Sequence, residues 1–258
     1  MKRISSRDNP TFKALSALAS DTRKQRQEGG ALIDGPHLIQ AYLALVGRPQ
    51  MIGVSDSGLA HPEIIPLLDQ LQNCDTCVFP DGLFRQLGGT ASPIGIVARI
   101  PIPAENHEPA TGSCMILDGV QDSGNVGTLL RTAAAAGIRD VFLGPGCAYP
   151  WSFKVLRAGQ GGHFHLSIRE HADLESIMRA YTGKCVAAVA HEGIPLYQAD
   201  LRGNLAWIFG SEGKGIRPEL SKLAGLRVTI PLVKTSESLN VTSSAAICLF
   251  EAIRQNKS

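Results

Sequence analysis

The sequence has few aromatic residues, little net charge and no long apolar run. Aromatic residues make up 5% of the 258 residues, and 25 Lys and Arg against 23 Asp and Glu give a formal net charge of +2. So small an excess does not by itself predict binding to nucleic acid or to a membrane surface. The apolar runs are too short to cross a bilayer. Residues 1–10, MKRISSRDNP, also lack the apolar core of a signal peptide, so we expect a cytoplasmic protein that does not span a membrane.

Cysteine is sparse and scattered, which argues against a disulfide framework or a metal site. Six cysteines occur in separate segments, and in a cytoplasmic protein we expect them to be reduced and buried. Cys74 and Cys77 form a single CxxC with no second pair nearby, so zinc or redox chemistry is the less favoured interpretation. His163 and His165 alternate as in a strand, but no third ligand accompanies them. We therefore assign no metal.

Two common nucleotide-binding motifs are incomplete. The segment 208–216, IFGSEGKGI, follows a predicted strand, and its glycines let backbone N–H groups approach a ligand closely. A Walker loop would need Ser or Thr after its lysine, whereas Lys214 is followed by Gly215. Gly144 and Gly146 lack the third glycine of the Rossmann fingerprint. The sequence thus argues against a nucleoside triphosphate or a dinucleotide and leaves open a ligand with an adenosine group and no phosphates.

Strand-like and helix-like segments alternate in two blocks. The first block, residues 1–100, predicts a small α/β domain. Residues 101–113 contain three prolines and no apolar periodicity, as expected of a linker. From 114 to 258 the alternation restarts and predicts a second α/β domain with a mostly parallel, doubly wound sheet.

Positive charge is concentrated at the beginning of the chain. Residues 1–28 carry seven lysines and arginines against three acidic residues, and the apolar pattern of residues 10–28 predicts one helix. Such a segment either contacts phosphates or is a solvated helix, and the sequence leaves both interpretations open.

The stretch 226–253 has the layout of a ligand-binding unit. It predicts a strand at Leu226–Ile230 and a helix that begins near Ser238–Asn240. In α/β proteins, a polar loop between a strand and a helix N-terminus is a common place for a ligand. An ordinary βα unit has the same layout, but core packing gives no reason for Ser-Leu-Asn at the helix start. If this strand and the predicted strand 205–210 are neighbours, the loops after them form one crevice. The apolar face predicted for the helix consists of Val241, Ala245, Leu249 and Ile253.

A second polar loop lies within residues 117–137, between a predicted strand and an alanine-rich helix. In the simplest interpretation Asn125 caps this helix. Arg131 follows among apolar helix residues. Its guanidinium either extends to the edge of the helix or binds an anion in a pocket, and the pattern alone does not decide between them.

Three of these segments occur in a fixed order. They are DSGNVG at 122–127 with Arg131, GSEGKG at 210–215, and IPLVKTSESLNVTSSAAICLFE at 230–251. In sequence and in order they resemble the signature motifs of the SpoU (TrmH-like) RNA ribose 2′-O-methyltransferases. The resemblance covers 114–255 well and extends more loosely to 30–99, where LIDGPHLIQ resembles the start of the family's substrate-binding domain.

The resemblance implies a fold, a cofactor and an assembly. The second domain would contain a deep trefoil knot, although knots are rare. The cofactor would be S-adenosylmethionine, contacted largely through backbone atoms at Gly210, Ile230 and Leu239. The enzyme would be a homodimer with its active site at the subunit interface. The residues that the resemblance assigns to catalysis are Arg131, Asn125, Glu212, Ser238 and Asn240.

The same resemblance bears on proton removal from the ribose hydroxyl. The family commonly assigns the base role to the position of Arg131. A guanidinium is a poor base near neutral pH because its pKa lies above about 12. Binding the adjacent phosphate and stabilising the developing alkoxide is therefore the safer role for Arg131. Glu212 is the rival proton acceptor, unless it caps the next turn or pairs with Lys214.

The sequence also departs from the family pattern. Ser123 replaces a frequent proline, Ser211 replaces a frequent asparagine or alanine, and Gly159-Gln160 stands where Ser-Met is common. In the segment that contains Gly159-Gln160, Lys154 and Arg157 match the family pattern. The changes leave the main chemistry intact and bear on the shape of the RNA pocket.

The sequence is compatible with an rRNA methyltransferase, a tRNA methyltransferase or a catalytically silent RNA-binding protein. The small α/β domain resembles the substrate domain of rRNA-modifying members, which favours rRNA over tRNA as the substrate. A tRNA methyltransferase stays open as an alternative. A catalytically silent RNA-binding protein of ribosome assembly would be expected to lose Arg131, Glu212 or Asn240, and all three are present.

Overall fold

The computed structural model describes residues 1–87, 94–233 and 238–257. The chain forms two compact units, of which the first contains Met1–Ala104 with Trp151–Phe164 and the second contains Glu105–Pro150 with His165–Ser258. Parts of a predicted helix and a predicted strand fall on 88–93, and part of the third motif falls on 234–237, outside the described residues. In the part of the chain that is described, no helix is long and apolar enough to cross a membrane.

Helices and strands alternate along the first hundred residues, as the sequence predicts. In chain order they are β1 (Lys2–Arg3), α1 (Pro10–Ser20), α2 (Thr22–Glu28), β2 (Gly30–Asp34), α3 (Pro36–Leu45), β3 (Met51–Ser55), α4 (Ile65–Gln70), β4 (Asp75–Phe79), α5 (Asp81–Phe84) and β5 (Ile96–Pro101).

The alternation resumes after an irregular segment. The elements are β6 (Cys114–Asp118), α6 (Ser123–Ala135), β7 (Asp140–Leu143), α7 (Phe153–Gly159), β8 (Ser167–Arg169), α8 (Leu174–Ala180), β9 (Lys184–Ala188), β10 (Ile194–Pro195), β11 (Leu205–Gly210), α9 (Pro218–Leu223), β12 (Leu226–Thr229) and α10 (Val241–Lys257).

The first unit has a mixed sheet in the strand order β1-β4-β3-β5-β2. Strand β4 is parallel to β1 and β3, whereas β5 is antiparallel to β3 and β2. Helix α1 buries one apolar face, made of Phe12, Leu15 and Leu18, in the core of this unit. The prediction of one helix over 10–28 is wrong at Asp21. The Asp21 carboxylate accepts hydrogen bonds from the N–H groups of Arg23 and Lys24, so it caps a second helix.

Helix α7 belongs to the first unit, although the sequence analysis included it in the domain 114–258. Phe153 is part of the core of that unit, and the Trp151 carbonyl accepts a hydrogen bond of 3.1 Å from the side chain of Gln25. The guanidinium of Arg157 lies 3.7 Å from the carboxylate of Asp34. Burial of Phe153 in this core thus explains why the segment groups with residues far from it in sequence.

The second unit has a sheet in the order β10-β12-β9-β11-β6-β7-β8, in which every pairing is parallel. This confirms the predicted parallel sheet. All residues of the central strands β6 and β11 are buried, as expected for parallel strands covered on both faces. The condition that the strands 205–210 and 226–230 be neighbours is not met, because β9 lies between β11 and β12.

One predicted strand is largely absent. The sequence predicts a strand over 163–168, but Gly162–His165 forms a 3₁₀ turn and β8 covers only Ser167–Arg169. The backbone φ angles of 45° at Gln160 and 88° at Gly161 turn the chain just before this segment. The ring of Phe164 then packs edge-on against Tyr42 with centroids 5.3 Å apart. An aromatic contact of this kind holds the turn in place of a sheet pairing.

Candidate active site

The first motif begins where β6 ends, at the carboxyl edge of the parallel sheet. Gly119 adopts a φ of 67°, which turns the chain away from β6, and α6 begins at Ser123. The helix is capped by Asp122, whose carboxylate accepts a hydrogen bond of 2.8 Å from the N–H of Asn125. The interpretation of Asn125 as the cap is therefore wrong. Asn125 lies in the first turn of α6, and its side chain makes other contacts.

The side chain of Asn125 links residues from all three motifs. Its Nδ2 donates a hydrogen bond of 2.5 Å to Oε1 of Glu212, and its Oδ1 accepts one of 3.2 Å from Nδ2 of Asn240. The Asn240 side chain also accepts hydrogen bonds from the N–H and the hydroxyl of Thr242, and in this way Asn240 caps α10. Packing of α6 against α10 brings the two asparagines together. We call Glu212, Asn125 and Asn240 the polar triad.

The second motif forms a compact loop after β11. The backbones of Ser211 and Gly215 exchange two hydrogen bonds, of 3.1 and 2.8 Å, and the Ser211 hydroxyl accepts a third from the N–H of Lys214. A Cβ atom at Gly210 would overlap the backbone of Gly215 and Ile216. Only glycine fits at the start of this loop, and Ser211, a departure from the family pattern, stabilises it internally.

A cavity of about 520 Å³ lies beside this loop. Its lining includes Gly210, Ile230 and Leu239, the three positions that the sequence analysis assigned to a cofactor, together with Glu212, Ser238 and Asn240. Its volume suits a small organic ligand. The lining combines apolar side chains and glycine backbone with polar side chains, among them Lys214. One wall, residues 188–190 at the end of β9, was not anticipated, because small apolar residues at a strand end carry no distinctive pattern.

Arg131 is not among the residues that line this cavity. Its side chain is exposed on α6, and it makes no hydrogen bond or ion pair with any residue that the structure describes. Of the five residues assigned to catalysis, the structure therefore brings Asn125, Glu212 and Asn240 into contact and places Ser238 on the cavity wall. It leaves Arg131 apart from them within one chain.

The cysteines do not contribute to the site. All six are free thiols, and burial raises the pKa of Cys114 and of Cys248 to about 12. A thiol with so high a pKa is not a nucleophile near neutral pH. Cys77 is buried in β4, with a pKa raised by burial, and the Cys74 thiol donates to the Pro49 carbonyl. Among the described residues, no group of three or more His, Cys, Asp or Glu side chains is arranged to hold a metal ion.

Comparison with known proteins places this site in a family. The model of the SpoU rRNA Methylase family matches residues 113–250, and the chain belongs to that family. The 23S rRNA (guanosine(2553)-2′-O)-methyltransferase RlmP of Bacillus subtilis (strain 168) is 32% identical, over 97% of this chain and 98% of that protein.

Two solved structures extend the similarity over both units. A crystal structure of an RNA 2′-O ribose methyltransferase is 28% identical, with a TM-score of 0.85 and 98% of each chain covered. The SpoU methyltransferase AviRb from Streptomyces viridochromogenes, solved in complex with AdoMet, has a TM-score of 0.86 over 96% of this chain and 98% of its own. At 22% identity, AviRb demonstrates a shared fold.

Proposed function

We propose that this protein is an RNA methyltransferase that uses S-adenosylmethionine to methylate a ribose 2′-hydroxyl in rRNA. The observation that carries the proposal is the polar triad, which joins the three motifs of the family beside a ligand-sized cavity. The B. subtilis relative, named as a 23S rRNA 2′-O-methyltransferase, matches nearly the whole chain, including the first unit.

The cavity has the features that the cofactor requires. Gly210 allows the loop after β11 to fold tightly at the edge of the cavity, and Ile230 and Leu239 supply apolar contacts for a base or ribose. Bound S-adenosylmethionine supplies a methyl group on a sulfonium, so the S–CH₃ bond breaks as the O–CH₃ bond forms and S-adenosylhomocysteine remains. Ser238 and Asn240, at the start of α10, orient the reacting groups from the adjoining wall.

The residues of the chain must position the hydroxyl and receive its proton. In our proposal the Glu212 carboxylate takes the proton of the 2′-hydroxyl, and the Asn125 amide holds that carboxylate in place through the 2.5 Å hydrogen bond. Arg131 binds the phosphate next to the reacting ribose and stabilises the alkoxide as it develops. A guanidinium remains protonated at neutral pH and suits this role better than that of a base.

The first unit would hold the rRNA. Its first 28 residues present exposed basic side chains, and exposed lysine and arginine side chains contribute most of the sequence-independent affinity of proteins for nucleic acid. Two of these side chains already form surface ion pairs, Arg3 with Asp56 and Lys13 with Asp8, and an RNA phosphate would compete for them. The exposed basic residues are Lys2, Arg3, Arg7, Lys13, Arg23, Lys24 and Arg26.

We further propose a homodimer with the active site at the subunit interface, a trefoil knot in the second unit and a cytoplasmic location. The exposed position of Arg131, away from the cavity of its own chain, supports a site completed by the partner subunit. Light scattering at micromolar concentration tests the dimer, and a monomer would contradict it.

The activity is tested by transferring labelled methyl groups from S-adenosylmethionine to unmodified total RNA. The RNA is separated into rRNA and tRNA fractions, and its nucleosides are analysed. We expect label as a 2′-O-methylribose in rRNA. Label in tRNA alone would favour the alternative substrate. No label in any fraction, including precursor ribosomal particles, together with retained cofactor binding would favour a silent RNA-binding protein.

A further inference from the structure

The buried Asp118 and the half-exposed Arg217 form a pairing that the proposed chemistry does not use. The Asp118 carboxylate, only 4% exposed, ends strand β6. Its Oδ2 accepts a hydrogen bond of 2.8 Å from the backbone N–H of Arg217, and its Oδ1 accepts one of 2.7 Å from the Arg217 Nε. A carboxylate buried to this degree is costly unless it is paired, so the contact is specific.

This pairing closes the loop that carries the second motif. In the sheet register Asp118 lies directly opposite Gly210, the residue after which the loop leaves β11. Arg217, which ends the loop, returns to the same aspartate through its backbone and its side chain. Asp118 thus holds both ends of residues 211–216, while the Ser211–Gly215 hydrogen bonds hold the middle.

The loop held in this way carries Glu212 and lines the cavity. The hydrogen bond of 2.5 Å between Glu212 and Asn125 forms only if the distance between the loop and the start of α6 is fixed. Both the loop and the segment that leads to α6 start from the carboxyl ends of paired strands, and Asp118 ends one of them. We infer that Asp118 and Arg217 are positioning residues, which set the place of Glu212 and the shape of the cofactor wall.

The inference rests on the proposed function, and a double-mutant cycle tests it. The variant Arg217→Met removes the Nε hydrogen bond and keeps the backbone one, so the fold should persist. We expect kcat for methyl transfer to fall about tenfold. In a Glu212→Gln background, Arg217→Met should lower kcat by much less, because the group that it positions is already lost.

A matched control exists in the same unit. Arg202 donates from its backbone N–H and its Nε to Asp200, the same pattern at the surface and away from the cavity lining. Arg202→Met should leave kcat and the affinity for S-adenosylhomocysteine unchanged. Asp118→Asn provides a second variant, which keeps the volume of the side chain and removes its charge, and it should show the same dependence on Glu212.

The outcomes separate the two proposals. If the wild-type protein neither binds S-adenosylhomocysteine nor methylates RNA, the proposed function fails. A second outcome is that the wild type is active and Arg217→Met lowers kcat by the same factor in the wild type and in the Glu212→Gln variant. The pair then only stabilises the fold, and the inference is overturned. Unchanged kcat in folded Arg217→Met and Asp118→Asn also overturns it. If neither variant folds, the pair is a determinant of folding and the positioning role is rejected.

Discussion

Nδ2 of Asn125 lies 2.5 Å from Oε1 of Glu212, although 87 residues separate the two in sequence. The contact joins the loop after β11 to the first turn of α6. A carboxylate that accepts from an amide keeps its other oxygen available for a further donor. Glu212 is therefore oriented by the protein and able to accept a proton from a hydroxyl group on the cavity side.

Replacement of Glu212 by glutamine tests its role as proton acceptor. A glutamine can still accept the Asn125 hydrogen bond, so the loop and the cofactor wall should be preserved. We expect the affinity for S-adenosylhomocysteine to stay within about threefold and methyl transfer to fall by about 10²- to 10⁴-fold, the usual contribution of a general base. Single-turnover methyl transfer, measured beside calorimetry with S-adenosylhomocysteine, is the decisive measurement. A variant that binds the ligand and keeps wild-type methyl transfer would assign the proton to another group.

Lys214 provides a second prediction, on cofactor binding. It lines the cavity, and its ammonium makes no ion pair with any residue in the described ranges. A cation stabilises the carboxylate of bound S-adenosylhomocysteine, whereas 5′-methylthioadenosine lacks that group. Lys214→Met should weaken binding of S-adenosylhomocysteine by about tenfold, as expected for a charge-assisted hydrogen bond, and leave 5′-methylthioadenosine unaffected. Calorimetry with both ligands measures the difference.

The exposed Lys222 on α9 supplies the control for that experiment. Lys222→Met should change neither affinity. Lys214→Met could instead leave the affinity for both ligands unchanged and reduce the number of counterions released on RNA binding, measured from its salt dependence, by about one. That result would show that the lysine contacts an RNA phosphate.

Stability at acidic pH should depend on Glu251 in α10. Its carboxylate accepts hydrogen bonds from Arg254 and Gln255, which lower its pKa from 4.5 to about 2. A lowered pKa in the folded state means that the stabilisation is present above pH 4.5 and is lost as the pH falls towards 2. Glu251→Gln should cost about 1–2 kcal/mol of unfolding free energy at pH 7. The difference from the wild type should shrink between pH 4.5 and about 2.

Thermal unfolding at several pH values measures this effect. The surface pair of Glu175 and Arg179, with a separation of 3.8 Å, is the control. Glu175→Gln should change stability by less than about 0.5 kcal/mol, because exposed pairs contribute little. Equal losses in the two variants would show that the buried carboxylate of Glu251 has no special role.

The central strands could be predicted from sequence for one physical reason, whereas the site residues were assigned from the resemblance to the family. Strands β6 and β11 are buried on both faces, so their apolar runs are continuous and end sharply where polar loops begin. The predicted bounds 114–118 and 205–210 agree with the structure. The carboxyl ends of parallel strands share one edge, and Asn125, Glu212 and Asn240 meet at that edge.

Other features depend on contacts that no local pattern encodes. The insertion of β9 between β11 and β12 is a matter of topology, and it makes Ala188–Ala190 a wall of the cavity. The turn at Gly162–His165 is fixed by a ring contact between distant residues. The break at Asp21 had a local signal, since aspartate favours helix caps, but no glycine or proline interrupts residues 11–28, so the stretch resembles one helix.

The exposed position of Arg131 allows its effect on methyl transfer to be separated from an effect on cofactor binding. Arg131→Ala should leave cofactor binding nearly intact and abolish methyl transfer, because the residue lies outside the cavity proposed to bind the cofactor. Loss of cofactor binding would show instead that Arg131 has a structural role. Calorimetry with S-adenosylhomocysteine and a labelled-methyl assay on the same preparation separate the two results.

The same variant tests whether the site is shared between subunits. If Arg131 of one chain acts with Glu212 of the other, a mixed dimer of Arg131→Ala and Glu212→Gln chains contains one intact site. Random exchange of the two inactive variants should then restore about a quarter of the wild-type activity per chain, since half of the dimers are mixed and each has one of two sites intact. The activity should appear only after the subunits have exchanged, for instance by brief denaturation and refolding together. If both residues act in the same chain, every site in the mixture lacks one of them, and no activity returns.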